Sequence, residues 1–565
     1  MSVSDPPSAG SGDAHRPRPD AERAVRALTA LTYALGATLA VISAWVIVAR
    51  LRYPIDAEWM TGAVRDGVER VRDGQPLYGP PSASFIPFVY PPLYFWVSGG
   101  LAKLLSSFAA CKVVSIGAAI VTGWGLYRVS RGVGATPGWS RIALVLFVAT
   151  YPLTLLFYDL ERVDSLYAAL IVTGIVLLFR SRSTLSTVAA GALLGLAFFA
   201  KQAGLLTLAG AVVGLAIAGE RKRAAIVLGS GVAVLALVGG YLEVSTSGWF
   251  RYYCVKLPGA HGIRPQRLSI FFIQDAPKAF AITAASVALS SMLAFGLVRR
   301  RNKPEGMSSE QTVLATVVGA AMLAAFSFRA HSGGWANVLV AWLPLGCPAF
   351  AIVATRMEEW AQGTRAQQAT KLTLLGAVSL QVLGAMFDPT ELAPNADDMR
   401  DHDRLVGLVR ELEREGDVMV LPTGHLTKKT TAHSAALYDV LRAGGHAPAD
   451  LLSGLESRRW AAIFVDVPVD CDFPQCDELE ITLARNYFVA GRRHERDRTG
   501  MTGYDARPRW LLRPRKTPLA TMSPEDLVTR QRVEKALAEA KTSRTPQDEE
   551  IRPSDELEAL AADAR

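Results

Sequence analysis

The sequence predicts a polytopic α-helical membrane protein of about eleven spans plus one re-entrant or interfacial segment, followed by a small C-terminal extracytoplasmic α/β domain. Three observations predict it. Half of the 565 residues are apolar and 20% are charged, so mean hydropathy is positive and too high for an ordinary soluble chain. The apolar residues fall into runs near membrane-spanning length, with basic residues in short clusters between them. After Asp388 the long runs stop and shorter periodic patterns take over. A net charge of +8 spread in this way follows the positive-inside pattern and points away from any nucleic-acid partner.

Residues 1–25, rich in Pro, Ser and Gly as far as Asp20, read as a disordered cytoplasmic N-terminus. The run 26–49 is too long for the apolar stretch of a signal peptide and has no small-residue cleavage site after it. It reads as a retained first span. Further spans are expected near 107–127, 141–159, 163–180, 186–200, 203–219, 224–242, 278–298, 311–328, 334–354 and 371–387. The run 91–106 opens with Pro91-Pro92 and is about two-thirds of the roughly 20 residues that a span needs. Charge parity decides its treatment. The clusters Arg128/Arg131/Arg141, Arg180/Arg182, Glu220-Arg221-Lys222-Arg223 and Arg299-Arg300-Arg301-Asn302-Lys303 share a side with the basic N-terminus only if 91–106 does not cross. That run is therefore expected to dip in or lie at the interface. The N-terminus is then cytoplasmic and the C-terminus outside the cell membrane.

The transmembrane part is expected over 26–390 and the α/β domain over 391–515. Within the latter, 400–414 and 433–442 read as helices and 417–421 and 461–466 as strands. Residues 516–565, charged and nearly free of aromatics, read as a mobile tail with at most a marginal helix. Cys471 and Cys476 lie in the outer domain, where a disulfide is chemically permitted but would close only a short loop. Bridged and free states both stay open, and a zinc site would need two more ligands nearby.

With this topology the unusual polar residues can be placed. Asp56 and Glu58 stand at the exit of the first span, ahead of a short helix expected at 57–73. Asp56 fits an acidic N-cap, and equally a general base or metal-binding carboxylate at the membrane surface. Four charges crowd into Asp159-Leu160-Glu161-Arg162-Val163-Asp164 at the next outer boundary, which is costly unless they are paired or solvated. Lys201-Gln202 interrupts an apolar stretch, with Lys201 either snorkelling to water or holding a lipid phosphate. The loop 247–267 mixes aromatics with Arg251, Lys256, His261, Arg264 and Arg267, suiting a headgroup or sugar as well as a plain interfacial belt. The loop 329–337 brings His331, a glycine pair and Asn337 to the same side. No Walker, dinucleotide, HExxH or GxSxG motif competes with this set.

Asp56-Ala57-Glu58, Gly74-Gln75-Pro76-Leu77-Tyr78 and Tyr90-Pro91-Pro92-Leu93-Tyr94 together resemble the opening of the GT-C glycosyltransferases. The nearest branch is family 39, that of the protein O-mannosyltransferases and the aminoarabinose transferase of lipid A. Glu161-Arg162-Val163-Asp164, Ala200-Lys201-Gln202 and Gly333-Gly334-Trp335-Ala336-Asn337 are similar to downstream patterns, so the resemblance covers roughly 26–390. It implies a sugar donor on a polyprenyl phosphate, transfer to a lipid, glycan or protein hydroxyl, and acidic positions falling on Asp56 and Asp164, with Glu58 beside Asp56 as the further candidate acid. Tyr90, Arg162, Lys201, Gln202, His261, His331 and Asn337, which the topology collects on the same face, are the expected substrate contacts. Two departures matter. Ala57 splits the paired Asp-Glu of the mannosyltransferases, and Tyr90 stands where the aminoarabinose branch carries a lysine. No cofactor is required by this reading, and a divalent metal stays open. The competing reading is a transporter or flippase of lipid-linked sugars, although internal repeats and mid-membrane polar residues, the usual marks of one, are not evident.

Overall fold

The computed structural model describes residues 19–299, 306–331, 333–466, 477–493, 501–502, 506–519 and 521–542. Residues 1–18, both Cys471 and Cys476, and the tail beyond 542 lie outside the described residues. The first nine helices are α1 (Pro19–Arg52), α2 (Thr61–Arg72), α3 (Leu93–Leu101), α4 (Ser107–Gly132), α5 (Pro137–Leu153), α6 (Asp164–Arg180), α7 (Thr184–Ala200), α8 (Gly204–Ile217) and α9 (Arg221–Ser245). Four further long helices follow at Phe280–Arg299, Ser309–Ala330, Leu343–Trp360 and Thr364–Gly384. Six of these helices are long and apolar enough to cross a membrane, and the chain is a multi-pass membrane protein. The others differ in length from an ideal span. Helices α5, α6 and α7 have 17 residues each and α8 has 14. At 1.5 Å per residue these reach about 25 and 21 Å, below the roughly 30 Å hydrocarbon core.

The helices share two ends. At one end Thr136, Ser183 and Ser308 each cap a helix, the last through a capping box with Gln311. Gln311 Nε2 donates to Val133 O at 2.9 Å, Trp139 Nε1 to Glu358 at 2.9 Å, and Arg182 reaches Glu220 at 3.2 Å and Glu310 at 3.4 Å. The basic clusters near 131, 182 and 221 therefore gather at this end, while Ser106 starts α4 at the other. Small residues bring the helices close between the ends. A Cβ on Gly195 of α7 would stand 2.8 Å from Gly231 O of α9, and one on Gly214 of α8 would stand 2.7 Å from Val313 Cα.

At the opposite end the chain departs from simple spans. Helix α3 has nine residues, about 14 Å, too short to cross. The run expected as a span over 141–159 stops as a helix at Leu153, just after Pro152, and Leu155 and Leu156 take positive φ angles of 55° and 62°. Residues 154–163 thus form a buried turn rather than the last turns of a helix. Likewise the run 334–354 begins as a 3-10 helix, Ala336–Ala341, and becomes α-helical only at Leu343, where Pro344 suits the first turn. Between α9 and Phe280 the chain lies in short pieces that include π-helical turns at Tyr252–Lys256 and Phe271–Asp275.

Beyond Ala385 a four-stranded sheet forms from β1 (Asp417–Val420), β2 (Trp460–Val465), β3 (Tyr487–Arg492) and β4 (Trp510–Pro514). Its order is β1-β2-β4-β3, with β1 and β2 parallel and the other pairs antiparallel. Helix Ala396–Leu412 buries Leu405, Val409 and Leu412 against Val418, Val420, Ala462 and Phe464 on one face. Met419, Ile463, Val465 and Leu512 alternate to the other face and join a larger apolar cluster with helices Ser434–Arg442 and Ala449–Glu456. The expectation of a mobile tail from 516 is corrected over its first part. Helix Pro524–Thr542 packs on β3, where Glu534 accepts from Val489 N at 3.1 Å and from Arg515 Nη2 at 2.7 Å. Its polar composition hid it, because a buried Leu527 and one buried ion pair suffice to seat it.

Candidate active site

The loop after α1 and the turn before α6 meet first. Glu58 is buried, and its Oε2 accepts from Arg162 Nη1 at 2.9 Å and from Met60 N at 3.2 Å. Arg162 in turn donates to the Tyr90 hydroxyl at 2.6 Å and lies over the Tyr90 and Phe157 rings at 5.2 and 5.5 Å. Burial lifts the Glu58 carboxyl above its usual range, and Arg162 only partly opposes it. Burial likewise pushes the Tyr90 phenol up to about 12, so it remains a hydrogen-bond donor at neutral pH.

A second group forms where α6 begins and α7 ends. Asp164 is fully buried at the start of α6, and its Oδ1 accepts from Lys201 Nζ at 2.5 Å and Asn337 Nδ2 at 3.3 Å. Lys201 also donates to Asn337 O at 3.2 Å. The lysine does not snorkel; it is buried and ion-paired. Gln202 Nε2 ties two loops together through Val89 O at 2.6 Å and Cys254 O at 3.1 Å. His261 meets Asp439 of helix Ser434–Arg442 at 2.8 Å, and His331 Nδ1 lies 3.1 Å from His261 O beside a backbone bridge between Ile263 and His331.

These residues border one cavity of about 800 Å³. Tyr90, Arg162, Lys201, Gln202, His261, His331 and Asn337 all line it, joined by Glu58 from the expected acids. Asp56 and Asp164 do not. Asp164 stands behind Lys201, and Asp56 is held behind the wall by Arg65, by Thr61 Oγ1 at 3.4 Å and by His425 at 3.3 Å. Burial pushes the Asp56 carboxyl up, but His425 and Arg65 together outweigh it and hold it below the usual carboxylate range. Nor is Asp56 a helix cap: α2 starts at Thr61, and its preceding residue Met60 makes no side-chain cap bond.

Several contributors were silent in the sequence. Arg50 meets Asp159 at 2.9 Å and Leu156 O at 3.5 Å, while Lys112 donates to Asp159 O at 2.9 Å and lies 3.5 Å from Glu161. This buried cluster fastens the turn that carries Arg162. A lysine six residues into an apolar run was the available signal, since an isolated charge there demands a partner. Arg442, which carried no such signal, lines the cavity together with Arg267 of the 247–267 loop, which donates to Gly334 O at 2.6 Å. His425 had no local signal, because only the tertiary fold brings residue 425 to residue 56. Among the described residues no group of three or more His, Cys, Asp or Glu side chains assembles as a metal site.

No family model matches this chain, and no curated protein matches its sequence. Solved structures do match its shape. ArnT from Cupriavidus metallidurans bound to undecaprenyl phosphate aligns over 86% of this chain and 98% of its own, at 11% identity and a TM-score of 0.54. The same protein in its apo state aligns over 85% and 97%, at 11% identity and a TM-score of 0.53. The Archaeoglobus fulgidus oligosaccharyltransferase, in complex with Zn and sulfate, gives a TM-score of 0.46 at 12% identity over 82% of this chain and 72% of that one. The chain therefore shares the fold of ArnT over most of both chains.

Proposed function

We propose that the protein is a membrane glycosyltransferase that moves a sugar from a polyprenyl-phosphate donor to an acceptor hydroxyl at the extracytoplasmic face. The observation that carries this reading is the single cavity in which a buried carboxylate with a raised pKa, Glu58, faces the same space as Arg162, Lys201 and Arg267. A transfer of this kind needs a base for the incoming hydroxyl and cations for the departing phosphate. The acceptor oxygen forms a bond to the anomeric carbon as the bond from that carbon to the phosphate oxygen breaks. Glu58 takes the hydroxyl proton, and Arg162 and Lys201 stabilise the charge that collects on the polyprenyl phosphate. Asp56 and Asp164, one layer back, fix Arg65 and Lys201 rather than meeting the substrate. Undecaprenyl phosphate bound to ArnT, a protein of the same fold, supports the donor class.

Eleven crossings, an inner N-terminus and an outer C-terminus complete the proposal. The gathering of the basic clusters at one end and the cavity at the other supports this orientation. Transport of lipid-linked sugars fits less well. Within 26–390, every buried Asp, Glu, Lys or Arg among the described residues lies at the cavity end, and none marks a path through the bilayer. The test is incubation of the purified protein with radiolabelled polyprenyl-phosphate sugars and membrane extract. Label transferred to an extract component, lost in Glu58→Gln, is the expected result. Donors of several sugar types that all survive intact would overturn the reading.

A further inference from the structure

The cavity has two chemically different halves. Glu58, Tyr90, Arg162, Lys201 and Asn337 form a polar half joined by direct hydrogen bonds and ion pairs. The other part is lined mainly by Leu437, Leu451, Leu455, Ile463, Val465 and Leu483, which belong to one apolar cluster, with Arg442, Asp466 and Glu480 also bordering the space. All six come from the segment after Ala385, where no described helix is long and apolar enough to cross a membrane. Helix Ser434–Arg442 adds both kinds of lining, since Leu437 belongs to the apolar wall while Asp439 meets His261. An apolar chamber beside a polar site, both within one cavity, selects a ligand with an apolar body adjoining its polar end.

That ligand differs from the donor. A polyprenyl tail already lies in hydrocarbon, so drawing it out of the membrane into the chamber would remove no further apolar surface from water and gain nothing. Its phosphate belongs at Arg162 and Lys201. The chamber in the outer segment is then left for the second substrate. We propose that it seats the apolar body of the acceptor, so that the acceptor is an amphiphile whose hydroxyl adjoins an alkyl or aromatic group, rather than a free sugar. This inference rests on the transferase reading and names its acceptor class.

The experiment uses the full-length protein in nanodiscs and an alkanol bearing a diazirine. Photolysis should label peptides within 434–466 and 477–483, and excess unmodified alkanol should suppress the labelling. Lengthening the competing alkanol one methylene at a time should lower the concentration needed by up to about fourfold per step, until the chamber is full. Ala435→Trp, which places bulk at the chamber wall, should cut labelling there while binding of a labelled polyprenyl-phosphate sugar is kept. Labelling confined to membrane helices, or labelling of the outer segment that Ala435→Trp leaves unchanged, overturns the acceptor assignment. Failure of the wild-type protein to bind any polyprenyl-phosphate sugar is a separate outcome, and it removes the transferase reading instead.

Discussion

Two carboxylates separated by one alanine have been given different tasks by their surroundings. Glu58 faces the cavity with a raised pKa, whereas Asp56 is pinned by Arg65 and His425 behind it. Glu58→Gln should therefore lower turnover by about a hundredfold or more, the usual worth of a general base. Asp56→Asn should act mainly on stability, because the Arg65 guanidinium loses its buried counter-charge, at a cost of up to about 3–5 kcal/mol. Steady-state kinetics and thermal melts of both variants separate the roles; Glu58→Gln turning over normally would return the base to Asp56. Lys201 invites a double substitution. Lys201→Gln should destabilise by about 3–5 kcal/mol by leaving Asp164 buried without its cation, and Lys201→Gln with Asp164→Asn should recover most of that. Donor affinity should stay about ten- to a hundredfold weaker in both, the worth of one charge-assisted hydrogen bond to phosphate. Recovery of affinity together with stability would reduce Lys201 to a structural counter-ion. The sequence announced these residues by type, but not which of them reach the cavity. Asp56 and Glu58 differ in that respect through the direction of one loop and a histidine at 425, and no local pattern encodes either.

Helices were legible where an apolar run and a capping residue agreed. Residues 163–180 and 186–200 match α6 and α7 closely because Arg180, Arg182 and Ser183 punctuate them. Strands β3 and β4 were missed for a physical reason. Each is short, carries arginines such as Arg492 and Arg513 along its length, and takes its partner across an interval of more than a dozen residues. In the same region, two histidines give the C-terminal segment an acid lability. His433 Nδ1 accepts from Ala435 N at 3.1 Å and its Nε2 meets Trp59 O at 2.8 Å, an arrangement that only neutral imidazole satisfies. Burial pushes both His433 and His425 down to about 4. Between about pH 6.5 and 4 the unfolded chain thus binds protons that the folded one does not, so stability falls as pH drops through that window. The slope is at most about 1.4 kcal/mol per pH unit for each histidine. Melting temperature measured from pH 7 to 5 should decline, and His433→Asn, which keeps an acceptor for the cap, should remove part of the decline. A flat profile in the wild type would show that neither histidine is held neutral.

For the whole molecule, orientation is the statement most open to direct test. With Cys471 and Cys476 changed to serine, Arg182→Cys should be shielded from an impermeant thiol reagent in intact cells, and Lys429→Cys should react. Both positions are well exposed, and Cys111, Cys254 and Cys347 are buried. Reaction at 182 and protection at 429 would invert the orientation and move the cavity to the cytoplasmic side. The two ends also differ in how they treat charge, with exposed basic clusters at one and enclosed, matched pairs at the other. The pairing of Lys201 with Asp164 and of Arg162 with Glu58 has a kinetic sense once the cavity is regarded as an ion exchanger. In the resting protein each cation is already occupied by an anion of its own chain. On the proposed transferase reading, an arriving phosphate would have to displace a tethered competitor, and the same competitor would be on hand to evict the spent lipid afterwards. Affinity is thereby exchanged for turnover. Asp164→Asn, by emptying one exchange position, should hold the released polyprenyl phosphate longer than the wild type does.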